Sequence, residues 1–108
     1  MSKQLPEILE AYYNATNAHD TSAMSACFAQ NAVVHDEGEE LRGIEAVTRW
    51  IESTTSKYCA TAEVTEVRQQ GSEVDVTALV SGNFAGSPIS LDYHFTLEGD
   101  RILALSIG

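Results

Sequence analysis

The chain is poor in positive charge. Its 108 residues hold six Lys or Arg against sixteen Asp or Glu, a formal charge of -10. A surface with that balance repels nucleic-acid phosphates and anionic lipid headgroups, so neither nucleic acid nor membrane is an expected partner. Cysteine is just as sparse. Cys27 and Cys59 are too few and too far apart for a disulfide framework or a metal knuckle, and two reduced thiols are expected. His19, His35 and His94 are scattered, no HxxxH or CxxC pattern is present, and neither a metal nor a cofactor is expected. No apolar run approaches the length of a membrane span, and the opening Met-Ser-Lys-Gln-Leu-Pro-Glu lacks the basic-then-apolar order of a secretory signal. The expectation is a cytoplasmic protein.

What is present is the composition of a folded chain, 44% hydrophobic and 20% charged, at a length that suits one domain over residues 1–108. Pro6 and Glu7 suit a first helical turn, because proline loses no intrahelical hydrogen bond there and an acid complements the helix dipole. Leu5, Ile8, Leu9, Tyr12, Ala15, Thr16 and His19 then recur at helical spacing, which buries one face with Tyr12 at its middle and leaves Tyr13 off the stripe, partly exposed. Asp20 or Thr21 can cap a shorter helix with Met24, Cys27 and Phe28 on its apolar side. A third amphipathic helix begins at Gly43 and carries Ile44, Val47, Trp50, Ile51 and Thr54 to about Lys57.

Between the second and third helices, Ala32 to Asp36 alternates as a strand, and residues 37–40 read as an acidic turn. Ala32, Val34 and Asp36 share one face while Val33 and His35 share the other. Asp36 therefore stands at the end of an apolar wall. It is either a solvated strand-end residue or a carboxylate whose surroundings fit it for proton transfer.

After Cys59 the period becomes strand-like. Ala60 to Val67 is a strand in which Val67 falls out of phase, as a bulge would make it. Glu73 to Phe84 alternates, with Val74, Val76, Ala78, Val80, Gly82 and Phe84 inward. Beyond the Gly86-Ser87-Pro88 turn, Ile89, Leu91, Tyr93, Phe95 and Leu97 share one face, with Ser90, Asp92, His94 and Thr96 on the other. Glu98-Gly99-Asp100 is a hairpin signal, and Arg101 to Ile107 closes the chain. The class is α+β, with helices on a long meander whose strands and bulge favour a curled sheet enclosing a pocket. In the last strand Ile102 and Ala104 point one way and Leu103, Leu105 and Ile107 the other. The outer face thus needs cover, and a homodimer through that face with Leu103, Leu105 and His94 at the contact is expected.

The Ala18-His19-Asp20 turn, the Phe28 to Val33 passage and the Arg42-Gly43-Ile44-Glu45-Ala46-Val47 helix start resemble the NTF2-like superfamily, closest to its SnoaL-like and ketosteroid isomerase-like branch. The resemblance covers nearly the whole chain. It implies an NTF2-like, cystatin-like cone: three helices packed on a curved, mostly antiparallel sheet around a pocket. The superfamily includes isomerases, cyclases, hydrolases, dehydratases and non-catalytic domains, so the fold alone does not name an activity.

Tyr12, Asp20 and Asp36 fall at the mutual spacing of the isomerase's oxyanion tyrosine, helix-turn aspartate and catalytic base. The resemblance therefore implies cofactor-independent proton transfer, with Asp36 as base and Tyr12 as donor to an enolate oxygen. Where the isomerase carries a protonated aspartic acid, this chain has Tyr93, either a second donor or a side chain filling the pocket. Trp50 is core or lid. A small apolar molecule is the implied ligand, lined by Tyr93, Trp50, Phe28, Val34, Phe95 and Val80. The alternatives are a non-catalytic binder of such a ligand and a structural dimerisation domain whose interior is filled by its own side chains.

Overall fold

The computed structural model describes residues 5–36 and 38–108. Helices α1 (Glu7–Asn17) and α2 (Thr21–Ala26) lead into strands β1 (Phe28–Asp36) and β2 (Glu39–Arg42), and α3 (Ile44–Tyr58) into β3 (Thr61–Gln70), β4 (Glu73–Ser81), β5 (Ile89–Glu98) and β6 (Arg101–Ile107). The six strands form one sheet in the order β2-β1-β6-β5-β4-β3. Among the described residues only the β1–β6 pair is parallel, so the sheet is mixed but mostly antiparallel. The three helices cover its inner face.

Curvature comes from breaks in register. One lies between Val64 and Glu66 in β3, just ahead of the expected phase slip at Val67, and it turns both Val64 and Val67 toward the core. Another lies between Thr96 and Leu97, opposite β6. Its consequence is that Ile102 and Leu105 are 0% and 1% exposed although they sit three apart. Leu105 was expected at an outer contact, and the bulge instead turns it into the core. An extra residue on one strand bends that strand and increases the local twist, which is how the sheet becomes a trough.

Helix α1 lies in this trough, which explains Tyr13. It was expected off the buried stripe, yet it is buried, because walls on both sides of the helix widen the covered face. Its ring meets those of Tyr12 at 5.2 Å, Tyr93 at 5.6 Å and Phe95 at 6.1 Å, each edge-on. Its hydroxyl finds no hydrogen-bond partner among the described residues. His19 is also misplaced by simple periodicity. It is exposed, takes the left-handed backbone at φ 56° just beyond the helix, and brings Nε2 to 3.1 Å from the Ala60 carbonyl. Asp20 caps α2 as expected, accepting from the Ala23 N–H at 3.1 Å.

β1 begins at Phe28, four residues before its expected start, and keeps the expected faces: Ala32 and Val34 are fully buried and His35 is exposed. Of the 37–40 segment expected as a turn, residue 37 lies outside the described residues, and Glu39 and Glu40 begin the edge strand β2, paired through Asp36↔Glu39 and Val33↔Arg42. Its side chains are charged apart from Leu41, so nothing in hydropathy marks it as a strand; charged, short edges resist pairing with other chains. The opposite edge, β3, is covered where it begins. The Asn17 amide donates to the Ala62 carbonyl at 3.0 Å and accepts its N–H at 2.7 Å, as a neighbouring strand would. β4 ends at Ser81 rather than running on to Phe84.

The outer face of the sheet is polar at its centre. His94 lies opposite Asp75, with Nδ1 2.5 Å from the Asp75 carboxylate and Nε2 2.5 Å from Glu73, while the Thr77 hydroxyl donates to Asp92 at 2.8 Å. The hydrogen bond to Asp75, then that to Glu73, raises the His94 pKa above its ordinary 6.5.

Two outcomes follow from this packing. Tyr13→Phe removes a hydroxyl that was desolvated without compensation, so it should leave urea stability unchanged or raise it by up to about 1–3 kcal/mol; a loss of stability would reveal a partner for the hydroxyl. For His94, the fold favours the protonated ring. Its contribution is full below pH 6.5 and fades as pH rises through the raised folded value. His94→Gln should therefore lower the urea midpoint at pH 6 and have little effect at pH 9, modestly, because the cluster is solvent-exposed. An equal loss at both pH values would remove the charge from the account.

Candidate active site

Between α1, α3 and the core face of the sheet lies a cavity of about 270 Å³. Each element contributes by its own period. From α1 comes Tyr12, one turn before Thr16; from α3 come Trp50, Thr54 and Tyr58, spaced four apart on one face. Strands supply Asp36 from β1, Val80 from β4, Leu91 and Tyr93 from β5 and Ile107 from β6. Phe84, from the connection after β4, and Ile89, at the start of β5, close the wall. The chain's own side chains leave this space beside Tyr12 and Asp36 unfilled.

Asp36 is the carboxylate on this wall. Its Oδ2 accepts a hydrogen bond from the Trp50 indole N–H at 3.0 Å, which fixes the carboxylate against the cavity. Burial, with the Asp36 charge adding, pushes the Tyr93 phenol up to about 12. Burial pushes Tyr12 higher still, with the Tyr93 phenol the next largest cause and Asp36 a smaller one. Both phenols thus keep their protons at any physiological pH, and both feel the same carboxylate. The site combines one carboxyl group with two neutral O–H donors.

The structure brings together five of the residues singled out from sequence: Asp36, Tyr12, Tyr93, Trp50 and Val80. Phe28, Val34 and Phe95, expected as ligand contacts, are not on the cavity wall; they are 4%, 0% and 0% exposed in the core. Phe28 and Phe95 each meet the Tyr12 ring edge-on at 5.8 Å, and Phe95 stacks parallel to Tyr93 at 6.0 Å. These two rings pack against the phenols from the core side. Their strand positions face the core, but a single face of a strand feeds both core and cavity, and alternation cannot divide the two.

Met24, Tyr58, Phe84, Leu91 and Ile107 line the cavity and were not singled out. Tyr58 was reachable by stepping two helical turns from Trp50; Phe84 was not, since its place depends on the path of the chain after β4. Gly82 permits that path. A Cβ on Gly82 would stand 2.7 Å from the Tyr58 carbonyl oxygen, which instead accepts the Asn83 N–H at 2.7 Å. The approach sets the Tyr58 and Phe84 rings edge-to-face at 5.8 Å on the wall.

A second, outer groove of about 440 Å³ adjoins the first. It shares Asp36, Trp50, Thr54 and Tyr58 with the inner cavity, and adds Glu39 and Leu41 from β2 and Arg49, Ser53 and Lys57 from α3.

The profile of the SnoaL-like domain family matches residues 9–104. A Sinorhizobium meliloti protein provisionally named a polyketide cyclase is 40% identical, with 96% of this chain and 95% of that one covered and a TM-score of 0.92. A Xanthomonas campestris protein, also provisionally named a polyketide cyclase, shares the fold at 20% identity and a TM-score of 0.80, covering 93% of this chain and 85% of its own. A Catenulispora acidiphila protein of ketosteroid isomerase-like fold, solved with trimethylamine, is 20% identical, covers 97% of this chain and 86% of its own, and has a TM-score of 0.85. No curated protein matches the chain.

Proposed function

This chain belongs to the SnoaL-like domain family, with the NTF2-like fold of its structural neighbours, and on that premise we propose a small-molecule pocket protein that moves a proton beside a carbonyl of a small apolar substrate. Asp36 takes the proton from the carbon next to the carbonyl and returns it to the same or a conjugated carbon. Tyr12 and Tyr93 donate to the oxygen that becomes negative in between. Charge that develops in a water-poor site is stabilised far more by preset donors than it would be in water. The observation that carries this reading is the convergence of Tyr12, Tyr93 and the Trp50-bound Asp36 on one cavity. The scheme requires no cofactor.

A binder of a small apolar ligand, without catalysis, is the second reading. The Trp50 hydrogen bond favours it, because it already occupies a carboxylate oxygen that a base would have to present to the substrate. Cavity size narrows the ligand under either reading. At about 270 Å³ the space falls just below the usual span of ligand sites, roughly 300 to 1,000 Å³.

Two assays test the proposal. With a small β,γ-unsaturated ketone, the parent protein should isomerise the double bond into conjugation, Tyr12→Phe should lose on the order of 10²–10³ in kcat, and Asp36→Asn should abolish turnover. A 5-ene-3-ketosteroid should turn over poorly. Activity unchanged in Asp36→Asn would remove the base and leave the binder in front, and fast steroid turnover would refute the size argument. The second assay concerns a partner. A second copy packed through the outer sheet face would cover Val33, Leu79 and Ala104 beside His94, so light scattering at micromolar concentration should read two protomers; a monomer would count against it.

A further inference from the structure

We propose that the outer groove is the anion-binding half of a two-part site, so that the ligand is an apolar carbonyl compound carrying a carboxylate. The proposal deepens the pocket reading above and rests on it. The two cavities share Asp36, Trp50, Thr54 and Tyr58 in their walls, so a ligand held in the outer groove lies against the same side chains that border the space in front of the phenols. The walls of the outer groove are segregated by charge. Asp36 and Glu39 stand on the β1–β2 side; Arg49 and Lys57, with the Ser53 hydroxyl between them along the helix, stand on the α3 side. Two of the six cations in a chain of charge -10 thus flank one groove.

Arg49 is distinct among them. Arg42, Arg68 and Arg101 pair with Glu40, Glu66 and Asp100, whereas Arg49 makes no ion pair or hydrogen bond among the described residues. A guanidinium presents a planar fork that fits a carboxylate. A ligand carboxylate is therefore drawn to the α3 wall and repelled by the β1–β2 wall. That repulsion has a chemical use: it keeps the ligand's own carboxylate away from Asp36 and turns the apolar body, with its carbonyl, inward toward Tyr12 and Tyr93.

Trp50 lines both cavities and is the sole tryptophan, so its fluorescence reports binding whether or not any chemistry follows. The probes are 4-oxo-5-phenylpentanoate and its methyl ester, titrated into the parent protein, Arg49→Gln and, as a charge-matched control on β3, Arg68→Gln. The acid should bind about tenfold to a hundredfold more tightly than the ester, as a charge-assisted contact gives. Arg49→Gln should erase that preference by weakening the acid alone, and Arg68→Gln should keep it. Equal binding of acid and ester, equal weakening of both in Arg49→Gln, loss of the preference in Arg68→Gln, or no binding of either at millimolar concentration would each overturn the proposal. Deuterium exchange at the benzylic carbon, followed by NMR, separates this inference from the proton-transfer reading. Acid preference without exchange leaves the two-part site standing and removes only the catalysis; exchange on acid and ester alike, without preference, does the reverse.

Discussion

The bend in the sheet is the constraint on which the rest of the molecule depends. A flat sheet of these strands would press directly against three helices and leave no room between them. Shifts of register between Val64 and Glu66 and between Thr96 and Leu97 fold the sheet into a trough. α1 then lies within it, and the helix surface in contact with the sheet becomes wide enough to bury adjacent tyrosines, Tyr12 and Tyr13. Because the floor curves away beneath α1 and α3, their inner faces do not meet it everywhere. The space left over is the cavity.

That space is chemically useful because the groups around it are held from behind. Phe28 and Phe95 touch the Tyr12 ring, Phe95 stacks on Tyr93, and the Trp50 N–H holds Asp36. Rings packed edge-on resist rotation, so the phenol oxygens are kept in place by contacts on the side away from a ligand. A carboxylate held by the Trp50 N–H and lying near two protonated phenols needs little rearrangement to meet charge on a bound molecule. Trp50 serves both regions, since its indole lines the inner cavity and the outer groove while orienting the acid at their junction.

The outer face follows a different rule. There Glu73, Asp75 and Thr77 stand opposite Thr96, His94 and Asp92, and polar cross-strand pairs replace packing. A net charge of -10 is tolerable in a small domain when acids face water or share a proton-bearing neighbour such as His94.

The elements and the inward strand residues were legible in the amino-acid order because period and turn chemistry are local. Helical spacing from Leu9 to Ala15, the Asp20 cap, the alternation of Ala32 and Val34, and the Val74 to Val80 stripe are all written in short windows, and the fold conforms to them. Asp36 and Tyr12 were legible as a pair through spacing that matches a known family, and they do meet on one cavity. Tyr13, Leu105, β2 and the division of Phe28, Val34 and Phe95 from the cavity wall were decided only in three dimensions. Whether a residue on the inner face of a strand touches a neighbour or a void depends on how far the sheet bends beneath it. Bending accumulates over paired strands that lie far apart in the chain, which no local window contains.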